Sequence, residues 1–495
     1  MNSTSTFVFT SVLAMSSASA SVLPDNQTQS VWFQDGQAKI EEISQKPVAY
    51  DQAKNVILFI GDGMGISTQT AARIFVGQSQ INHQGGEEFL LSFEQFPYTA
   101  LAKTYNTDMQ VPDSAGTMTA MVTGVKTRAG MLSVSDYIDR GDCGVDEATL
   151  KTSLEYAAQR GMNTGVVSTA RITHATPAAT YAHISDRGWE SSVPEDCDGK
   201  VKDIALQLVE ASSAIDIVLG GGRRSFEPSG EGLSGRRTDS RNLIQEWIDT
   251  APEQRQFVDT ASAMKELSAD AEQKVLGLFS DSHMEYELHR SDTEQPSLTE
   301  MTDTALDYLM ADNDGFYLMV ESGRIDHGHH AGIAKLALTE TEQFHQTIEH
   351  TVQKLADANQ LDDTLIIVTA DHSHVMTMAG YQQRGNPILG LVAGESGNTL
   401  AKDDKPYTTL GYANGPGALT TFVDGLRADL SGVDTQADDF QQQALVPLTS
   451  ETHAGEDVAI YAMGPGAQWF NGLVEQNYIY HVINRTLSLQ GRRYE

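Results

Sequence analysis

The sequence predicts an α/β protein built on a central, mostly parallel sheet, with helices covering both faces. Four short apolar runs, at residues 55–60, 164–168, 316–320 and 364–369, are continuous rather than alternating, as in strands buried on both faces. Helical patterns separate these runs, and in residues 334–356 the apolar side chains recur along one face. Each run also stops at a cluster of polar residues, which predicts a site beyond the ends of the strands.

The polar residues that follow the four runs are of types that bind metals or phosphate. They are Asp62 after the first run; His174, Thr176 and Arg187 after the second; Glu321, Asp326, His327 and His330 after the third; and Asp371 with His372 after the fourth. Because parallel strands present their carboxyl ends at one edge of a sheet, we expect all of these side chains at that edge.

Taken one at a time, several of these residues have simpler explanations. Asp62 stands between glycines, as turn residues often do, and Arg187 fits a surface salt bridge. An isolated histidine is more often solvated or hydrogen-bonded in a core than bound to a metal. Asp371 and His372 are harder to explain in this way, because an Asp-His pair directly after a buried strand is costly without a partner. One shared site accounts for all of them together.

The mixture of ligand types restricts the metals that such a site would hold. Carboxylates and imidazoles without a thiolate suit zinc, whereas Asp, Glu and a Thr hydroxyl suit a hard cation such as magnesium. Asp326 and His330 are four residues apart, which places both on one face if the segment is helical. A third imidazole is available from His453, beside the strand-like run 458–462, although His453 taken alone is typical of a loop histidine.

Ser114 is the candidate nucleophile. It follows Asp113 and precedes a run, residues 115–122, with a helical pattern. Its hydroxyl is therefore expected among unpaired backbone N–H groups at the positive end of a helix dipole, which favours an alkoxide and binds phosphate. The alternative is that Asp113 or Ser114 only caps the helix.

Taken together, these segments resemble the ordered motifs of the alkaline phosphatases, from about residue 54 to the C-terminus. The matching motifs contain Asp62, Asp113 to Gly116, His174 to Pro177 with Arg187, Glu321 with Asp326 and His330, Asp371 with His372, and Thr452 to Gly455. The resemblance implies the hydrolysis of phosphate monoesters of broad structure through a phosphoserine on Ser114, with two zinc ions and one magnesium ion.

The resemblance also implies a role for each residue. One zinc ion is expected on Asp62, Asp371, His372 and the Ser114 oxygen, a second on Asp326, His330 and His453, and magnesium on Asp62, Thr176 and Glu321. Arg187 is expected to hold two phosphate oxygens with its planar guanidinium.

His174 and His327 stand where some bacterial members carry Asp and Lys, a pattern similar to the animal and some marine bacterial enzymes. His174 is expected to act through water near the magnesium, and His327 and Asp113 near the phosphate. The animal calcium site uses a Phe-Glu pair, whereas this chain has Phe279 and Ser280, so that site is not expected.

Length and charge restrict the organisation and the partners. The 495 residues contain no linker rich in Pro, Gly or Ser, which favours a single catalytic domain over residues 54–495. An insertion at about 379–447, with expected loops at 380–386 and 414–417, resembles the family's crown at the dimer interface and implies a homodimer. The net charge of −34 argues against nucleic acid as a stable partner. Salt adaptation and general solubility both explain so acidic a surface.

The N-terminus and the cysteines indicate export. Residues 7–15 are apolar and residues 18–20 are small, which predicts a signal peptide at 1–20 followed by an arm at 21–53 and a periplasmic or secreted enzyme. No later run is long enough to cross a membrane. Cys143 and Cys197 form a disulfide in an oxidising compartment, and two free thiols are the alternative.

Two other classes remain open at this point. A phosphodiesterase or sulfatase shares a two-metal sheet edge, but an arginine that binds two free phosphate oxygens favours a monoester. A catalytically silent metal or phosphate binder is disfavoured because the nucleophile and all proposed ligands occur together.

Overall fold

The computed structural model describes residues 52–488, apart from 81–84, 212–213, 231–232, 271, 292–293 and 424. The described residues belong to one unit of the chain, Ala49–Glu495. The expected signal peptide and nearly all of the expected N-terminal arm lie outside the described residues. None of the described helices is long and apolar enough to span a bilayer.

The centre of the protein is a ten-stranded sheet. In chain order its strands are β1 (Asn55–Gly61), β2 (Tyr98–Lys103), β3 (Asn163–Arg171), β4 (Ile217–Gly221), β5 (Arg255–Val258), β6 (Lys274–Leu278), β7 (Phe316–Ser322), β8 (Thr364–Ala370), β9 (Val458–Met463) and β10 (Gly472–Glu475). Their spatial order is β10-β2-β9-β8-β1-β7-β3-β4-β6-β5. All described neighbours pair in parallel except β9, which runs antiparallel to both β2 and β8. The predicted α/β fold class with a mostly parallel sheet is confirmed.

The central strands are apolar because both of their faces are covered. Every residue of β1, β7 and β8 is buried, which explains their unbroken runs of Val, Ile, Leu and Phe. Helices cover these faces, apart from α11, which packs against the small sheet of the 379–447 segment. The described helices are α1 (Ile66–Ser79), α2 (Ser114–Thr123), α3 (Ser153–Gln159), α4 (Ala175–Ala178), α5 (Ile204–Glu210), α6 (Leu243–Thr250), α7 (Ala261–Lys265), α8 (Leu298–Leu309), α9 (Arg324–His330), α10 (Ala334–Asp357), α11 (Gly417–Thr420) and α12 (Tyr478–Leu487).

The topology brings distant segments to one edge of the sheet. Strands β8, β1, β7 and β3 are consecutive neighbours, so their carboxyl ends lie side by side. Because β9 runs the opposite way, the chain that precedes it lies at this same edge. There His453–Ala454 pairs with Ser373–His374, just beyond the end of β8.

The segment that was predicted as an insertion carries its own small sheet. Strands Met376–Met378, Leu410–Gly415 and Ala444–Pro447 pair together, and two short hairpins join Ala393–Gly394 to Gly397–Asn398 and Phe422–Val423 to Leu426–Arg427. The expected loop at 414–417 is wrong, because Asn414 pairs with Val446 in a strand and Gly417 begins α11. A side chain at Gly417 would overlap the carbonyl oxygen of Gln442, so the glycine marks close packing there rather than a turn.

A further hairpin, Ser229–Gly230 with Leu233–Ser234, lies outside the large sheet. Cys143 and Cys197 form a disulfide whose Cα atoms are 5.0 Å apart. The predicted disulfide is therefore present, and the loop that it closes, residues 143–197, contains the proposed site residues His174, Thr176 and Arg187.

Candidate active site

Ser114 is the first residue of α2. Asp113 caps this helix, because its side chain accepts a hydrogen bond from the Gly116 N–H at 3.1 Å. Ser114 is buried, and its Oγ lies 3.1 Å from Nε2 of His372, which follows β8. Asp113 therefore caps the helix, and the hydroxyl of Ser114 is left to face the sheet edge.

Three carboxylates lie fully buried at the ends of the central strands, and we call Asp62, Glu321 and Asp371 the carboxylate cluster. Nε2 of His372 is 3.5 Å from Asp62 and 3.3 Å from Asp371. Several of the buried oxygens have no hydrogen-bond partner among the described residues, namely both of Asp62, Oε1 of Glu321, Oδ2 of Asp371 and the hydroxyl of Thr176. Unpartnered oxygens of this kind are costly unless a cation binds them.

The carboxylate cluster has unfavourable electrostatics when it holds no cation. Burial, and then the charges of Asp371, Asp326 and Glu321, raise the pKa of Asp62. Burial is also the main cause that raises the pKa of Glu321 to about 7. Bound cations would relieve this repulsion, so the residues present fit a metal site.

A second group, which we call the imidazole cluster, consists of Asp326, His330 and His453. Asp326 Oδ1 is 3.2 Å from Nε2 of each histidine, and the two Nε2 atoms are 3.2 Å apart. The Nδ1 atoms face the carbonyl oxygens of Glu451 at 2.6 Å and Pro112 at 2.8 Å. A histidine that donates its Nδ1–H to a carbonyl leaves the Nε2 lone pair free for a metal. These three residues therefore also fit a metal site.

His374 and Glu451 complete this cluster, and the sequence analysis gave neither of them a role. Nε2 of His374 lies 2.9 Å from Asp326 Oδ1, and its Nδ1 lies 2.6 Å from Glu451 Oε2. Burial works to raise the pKa of Asp326, but His330 and hydrogen bonds from the imidazoles hold it well below its usual range. The spacing of His374 two residues after His372 was the available sequence signal, whereas Glu451 had none of its own.

Arg187 lies between the helix cap and the histidines. Its Nη1 donates to Asp113 Oδ2 at 2.9 Å, and its Nη2 lies 3.0 Å from Nε2 of His174. Asp113 also accepts the Gly130 N–H, so its carboxylate is held from two sides. Although burial opposes the charge, Asp113 raises the pKa of Arg187 and keeps the guanidinium positive. The arrangement orients a planar donor group beside Ser114.

His174 and His327 lie next to each other, with ring centroids 5.7 Å apart. One nitrogen of His174 also lies within 4.8 Å of carboxylate oxygens of Asp62 and Glu321. Burial lowers the pKa of His327 to about 3, so this imidazole is neutral. A third imidazole, His283, lies 4.1 Å from the His327 ring and was not singled out from the sequence.

The structure therefore brings all of the predicted catalytic and metal residues to one sheet edge. A cavity of about 980 Å³ in the described part contains none of these residues and is lined by others such as Tyr181, His183 and Lys202. Phosphate is small, so its binding site does not require a large cavity. The proposed ligands converge at the sheet edge, and the candidate active site therefore lies there.

The chain is similar to proteins of one family. Residues 53–489 match the family model "Alkaline phosphatase". The tissue-nonspecific isozyme of alkaline phosphatase from Gallus gallus is 44% identical over 482 residues, which cover 94% of this chain and 91% of that protein. The isozyme from Homo sapiens is 43% identical, with 87% and 83% covered, and an alkaline phosphatase from Gadus morhua is 41% identical, with 93% and 97% covered.

Solved structures agree in fold. Alkaline phosphatase from the Antarctic bacterium TAB5 superposes with a TM-score of 0.61 at 26% identity, covering 89% of this chain and 99% of that one. The Thermus thermophilus enzyme superposes with a TM-score of 0.64 at 23% identity and 96% coverage of each chain, and at that identity the likeness concerns the fold alone.

Proposed function

Because this chain belongs to the alkaline phosphatase family and is a phosphatase, we propose that it hydrolyses phosphate monoesters through a phosphoserine on Ser114. The observation that supports this most strongly is the position of the Ser114 hydroxyl. It is 3.1 Å from His372 and lies at the edge where both proposed metal clusters converge. The proposal depends on several separate family motifs taken together, not on any one of them.

In the proposed reaction Ser114 Oγ attacks phosphorus, and the bond between phosphorus and the ester oxygen breaks. The alcohol leaves with that oxygen, and water then attacks the phosphoserine to release inorganic phosphate and restore the hydroxyl. Arg187 binds two of the non-bridging oxygens, and Asp113 orients it through the 2.9 Å hydrogen bond. A guanidinium fixed in advance costs no reorganisation when charge develops on these oxygens.

Three cations fit the donor atoms. One zinc ion would be held by Asp62, Asp371, His372 and the Ser114 oxygen, the other by Asp326, His330 and His453, and magnesium by Asp62, Thr176 and Glu321. When bound, these ions would supply Lewis acidity, which lowers the pKa of a coordinated hydroxyl and stabilises the departing oxygen. The protein itself contributes preorganised ligands, because carbonyl groups orient both histidines of the imidazole cluster.

The wider organisation is part of the same proposal. We place one catalytic domain at residues 54–495, a homodimer with the 379–447 segment at its interface, and export to the periplasm or the exterior. The disulfide between Cys143 and Cys197 supports an oxidising compartment. Substrates of broad structure are expected, because the proposed contacts hold the phosphoryl group and leave the alcohol free.

The decisive experiment combines metal analysis with trapping of the covalent intermediate. Purified enzyme is incubated with labelled inorganic phosphate at acid pH and quenched, and the label is mapped by mass spectrometry. We expect label on Ser114 and two zinc ions with one magnesium ion per chain. Ser114→Ala is the matched control and should carry no label while keeping its metals. A wild-type enzyme that binds its metals but neither takes up label nor hydrolyses p-nitrophenyl phosphate would instead be a silent binder.

A further inference from the structure

Beside Arg187 the site continues as a group of three imidazoles, of which His283 has no part in the proposed reaction. The ring of His174, which contacts Arg187, is 5.2 Å from the ring of His283. His283 in turn lies 4.1 Å from His327. The group therefore begins one imidazole away from the guanidinium that is proposed to hold the reacting phosphate.

Arg171 contacts His283, and Arg224 and Arg324 lie near enough for their charges to act on this imidazole. We call Arg171, Arg224, His283 and Arg324 the basic arc. The backbone N–H of Arg171 donates to Nδ1 of His283 at 3.3 Å, and its guanidinium contacts Nε2. Burial, His327 and the charges of the three arginines lower the pKa of His283, so the imidazole is neutral and the positive charge resides on the guanidiniums.

Two of these guanidiniums lack a carboxylate partner. Arg171 is paired with Glu190 through bonds of 2.8 and 2.6 Å. By contrast, neither Arg224 nor Arg324 forms an ion pair with any residue that the structure describes, although both are only half exposed or less. Arg324 lies over the ring of Tyr286 at 3.7 Å, and its Nε is buried without a hydrogen-bond partner in the described part of the chain.

The nearby carboxylates are engaged elsewhere. Glu340 accepts the backbone N–H of Glu287 at 2.7 Å, and burial raises its pKa to about 7, which reduces its negative charge near neutral pH. Asp281 accepts hydrogen bonds from Arg223 at 3.0 and 3.2 Å. In a chain with a net charge of −34, two guanidiniums without an ion pair in the described part of the chain thus lie near His283.

The charge of this region decides which ligand it fits. Nitrogens of His174, His283 and His327 lie within 4.8 Å of one another, a geometry that could hold a metal ion. A divalent cation there would be repelled by Arg171, Arg224 and Arg324. An anion would instead gain both the charge and the planar donors of the guanidiniums.

We propose that the basic arc binds a second, non-reacting phosphate of the substrate, so that leaving groups bearing a phosphate are preferred. This inference depends on the proposed function. For a nucleoside diphosphate, Ser114 Oγ forms a bond to the terminal phosphorus, the bond to the bridging oxygen breaks, and the nucleoside monophosphate leaves with that oxygen. Water then releases the terminal phosphate. The arc contacts the phosphate of the leaving group throughout.

Hydrolysis of ADP and AMP tests the inference, since the two share a nucleoside and differ by one phosphate. We expect Arg324→Gln and Arg224→Gln each to lower kcat/KM for ADP by about tenfold, as expected for the loss of a charge-assisted hydrogen bond. The value for AMP should stay within about twofold, because AMP places no second phosphate on the arc. An equal loss for both nucleotides, or for neither, would overturn the inference.

Arg223→Gln is the matched control, because Arg223 is adjacent in sequence but already paired with Asp259 and Asp281. Its ratio of ADP to AMP activity should equal that of the wild type, and the melting temperature of each variant checks folding. If a glutamine variant does not fold, the corresponding lysine variant, Arg224→Lys or Arg324→Lys, is used in its place. They keep the charge but lose the planar fork, so a partial loss for ADP alone supports the inference and no selective loss contradicts it.

Calorimetric binding separates this inference from the proposed function. In a Ser114→Ala background without turnover, ADP should bind more tightly than AMP, and Arg324→Gln should remove that difference. Failure of the wild type to hydrolyse AMP would contradict the proposed function, whereas equal affinity for ADP and AMP would contradict the second-phosphate site. A further zinc ion per chain that disappears in His283→Ala would show that the imidazoles take a metal, and would also overturn the inference.

Discussion

The carboxylate cluster and the imidazole cluster lie against each other, with the His372 and His453 rings 3.6 Å apart, yet they accommodate buried charge differently. In the carboxylate cluster the oxygens of Asp62 have no hydrogen-bond partner among the residues that the structure describes, and burial raises the pKa of Asp62. In the imidazole cluster the hydrogen bonds and the His330 charge overcome burial and lower the pKa of Asp326. The first cluster therefore depends on cations for its electrostatic balance, whereas the second is held in place by the protein.

Replacing Asp62 gives the sharpest test of this difference. Asp62→Asn should lower kcat/KM by roughly a thousandfold or more, the scale seen when preorganised electrostatic stabilisation is lost. In the metal-free protein the same change should raise the melting temperature, because it removes one charge from a repelling group. Calorimetry of metal-free samples, with activity assayed after zinc and magnesium are restored, measures both effects. A metal-free variant less stable than the wild type would contradict the contrast between the clusters.

The pH dependence of the metal-free protein tests the same cluster through Glu321. Its pKa in the folded state is raised from 4.5 to about 7, so the protonated carboxyl stabilises the fold. This contribution is complete below the unfolded pKa and is lost as the pH rises through the folded pKa, a decline of at most a few kcal/mol. Chemical denaturation should therefore show that the free energy of unfolding decreases as the pH rises from about 4.5 to about 7. Glu321→Gln should lack it, and parallel curves for both proteins would contradict this account.

Glu451 tests the preorganisation of the imidazole cluster. Glu451→Gln should weaken zinc retention by about 10–100-fold, because the neutral amide no longer fixes His374 against Asp326. Zinc content after dialysis against graded chelator measures this without an activity assay. Glu456→Gln is the matched control, since Glu456 accepts a hydrogen bond from Ser373 at 2.6 Å and forms no ion pair with a proposed ligand in the described part of the chain. Equal zinc loss from both variants would contradict the positioning role of Glu451.

The smallest effect is expected from the two histidines beside the clusters. The double change His174→Asp and His327→Lys should tighten magnesium retention and slow phosphate release by about tenfold, because it adds a negative charge near magnesium and a positive charge near phosphate. Magnesium titration and phosphate inhibition constants measure the two effects. Unaltered phosphate affinity and turnover would show that these histidines do not tune the site.

Much of the fold could be predicted because the central strands carry an unambiguous pattern. Residues 55–60 and 364–369 are apolar throughout, and a strand buried on both faces permits little else. The direction of β9 was not predicted, since a short apolar run looks the same in parallel and antiparallel pairing. The direction of β9 is set by how this strand fits between β2 and β8 in the folded sheet, and the local sequence does not encode it.

Partners of the ligands were harder to predict than the ligands themselves. Asp371 and His372 directly follow a strand, so strand position predicts their place at the edge. Glu451 and His283 come from loops whose local sequence has no regular period, and only the folded chain brings them near His374 and His327. The prediction of a loop at 414–417 was wrong for a related reason, because Gly417 serves close packing rather than a turn.

The reversed strand β9 also has a consequence for the order of assembly. It fills the gap between β2 and β8, so during synthesis these strands have exposed edges until residues 458–463 emerge. Pairing across such sequence separations is slow, and open edges favour aggregation. We therefore expect a nascent chain to complete the sheet only after nearly all of it has been made. His453 joins Asp326 at that same late stage, so the imidazole cluster is completed only when nearly the whole chain has been made.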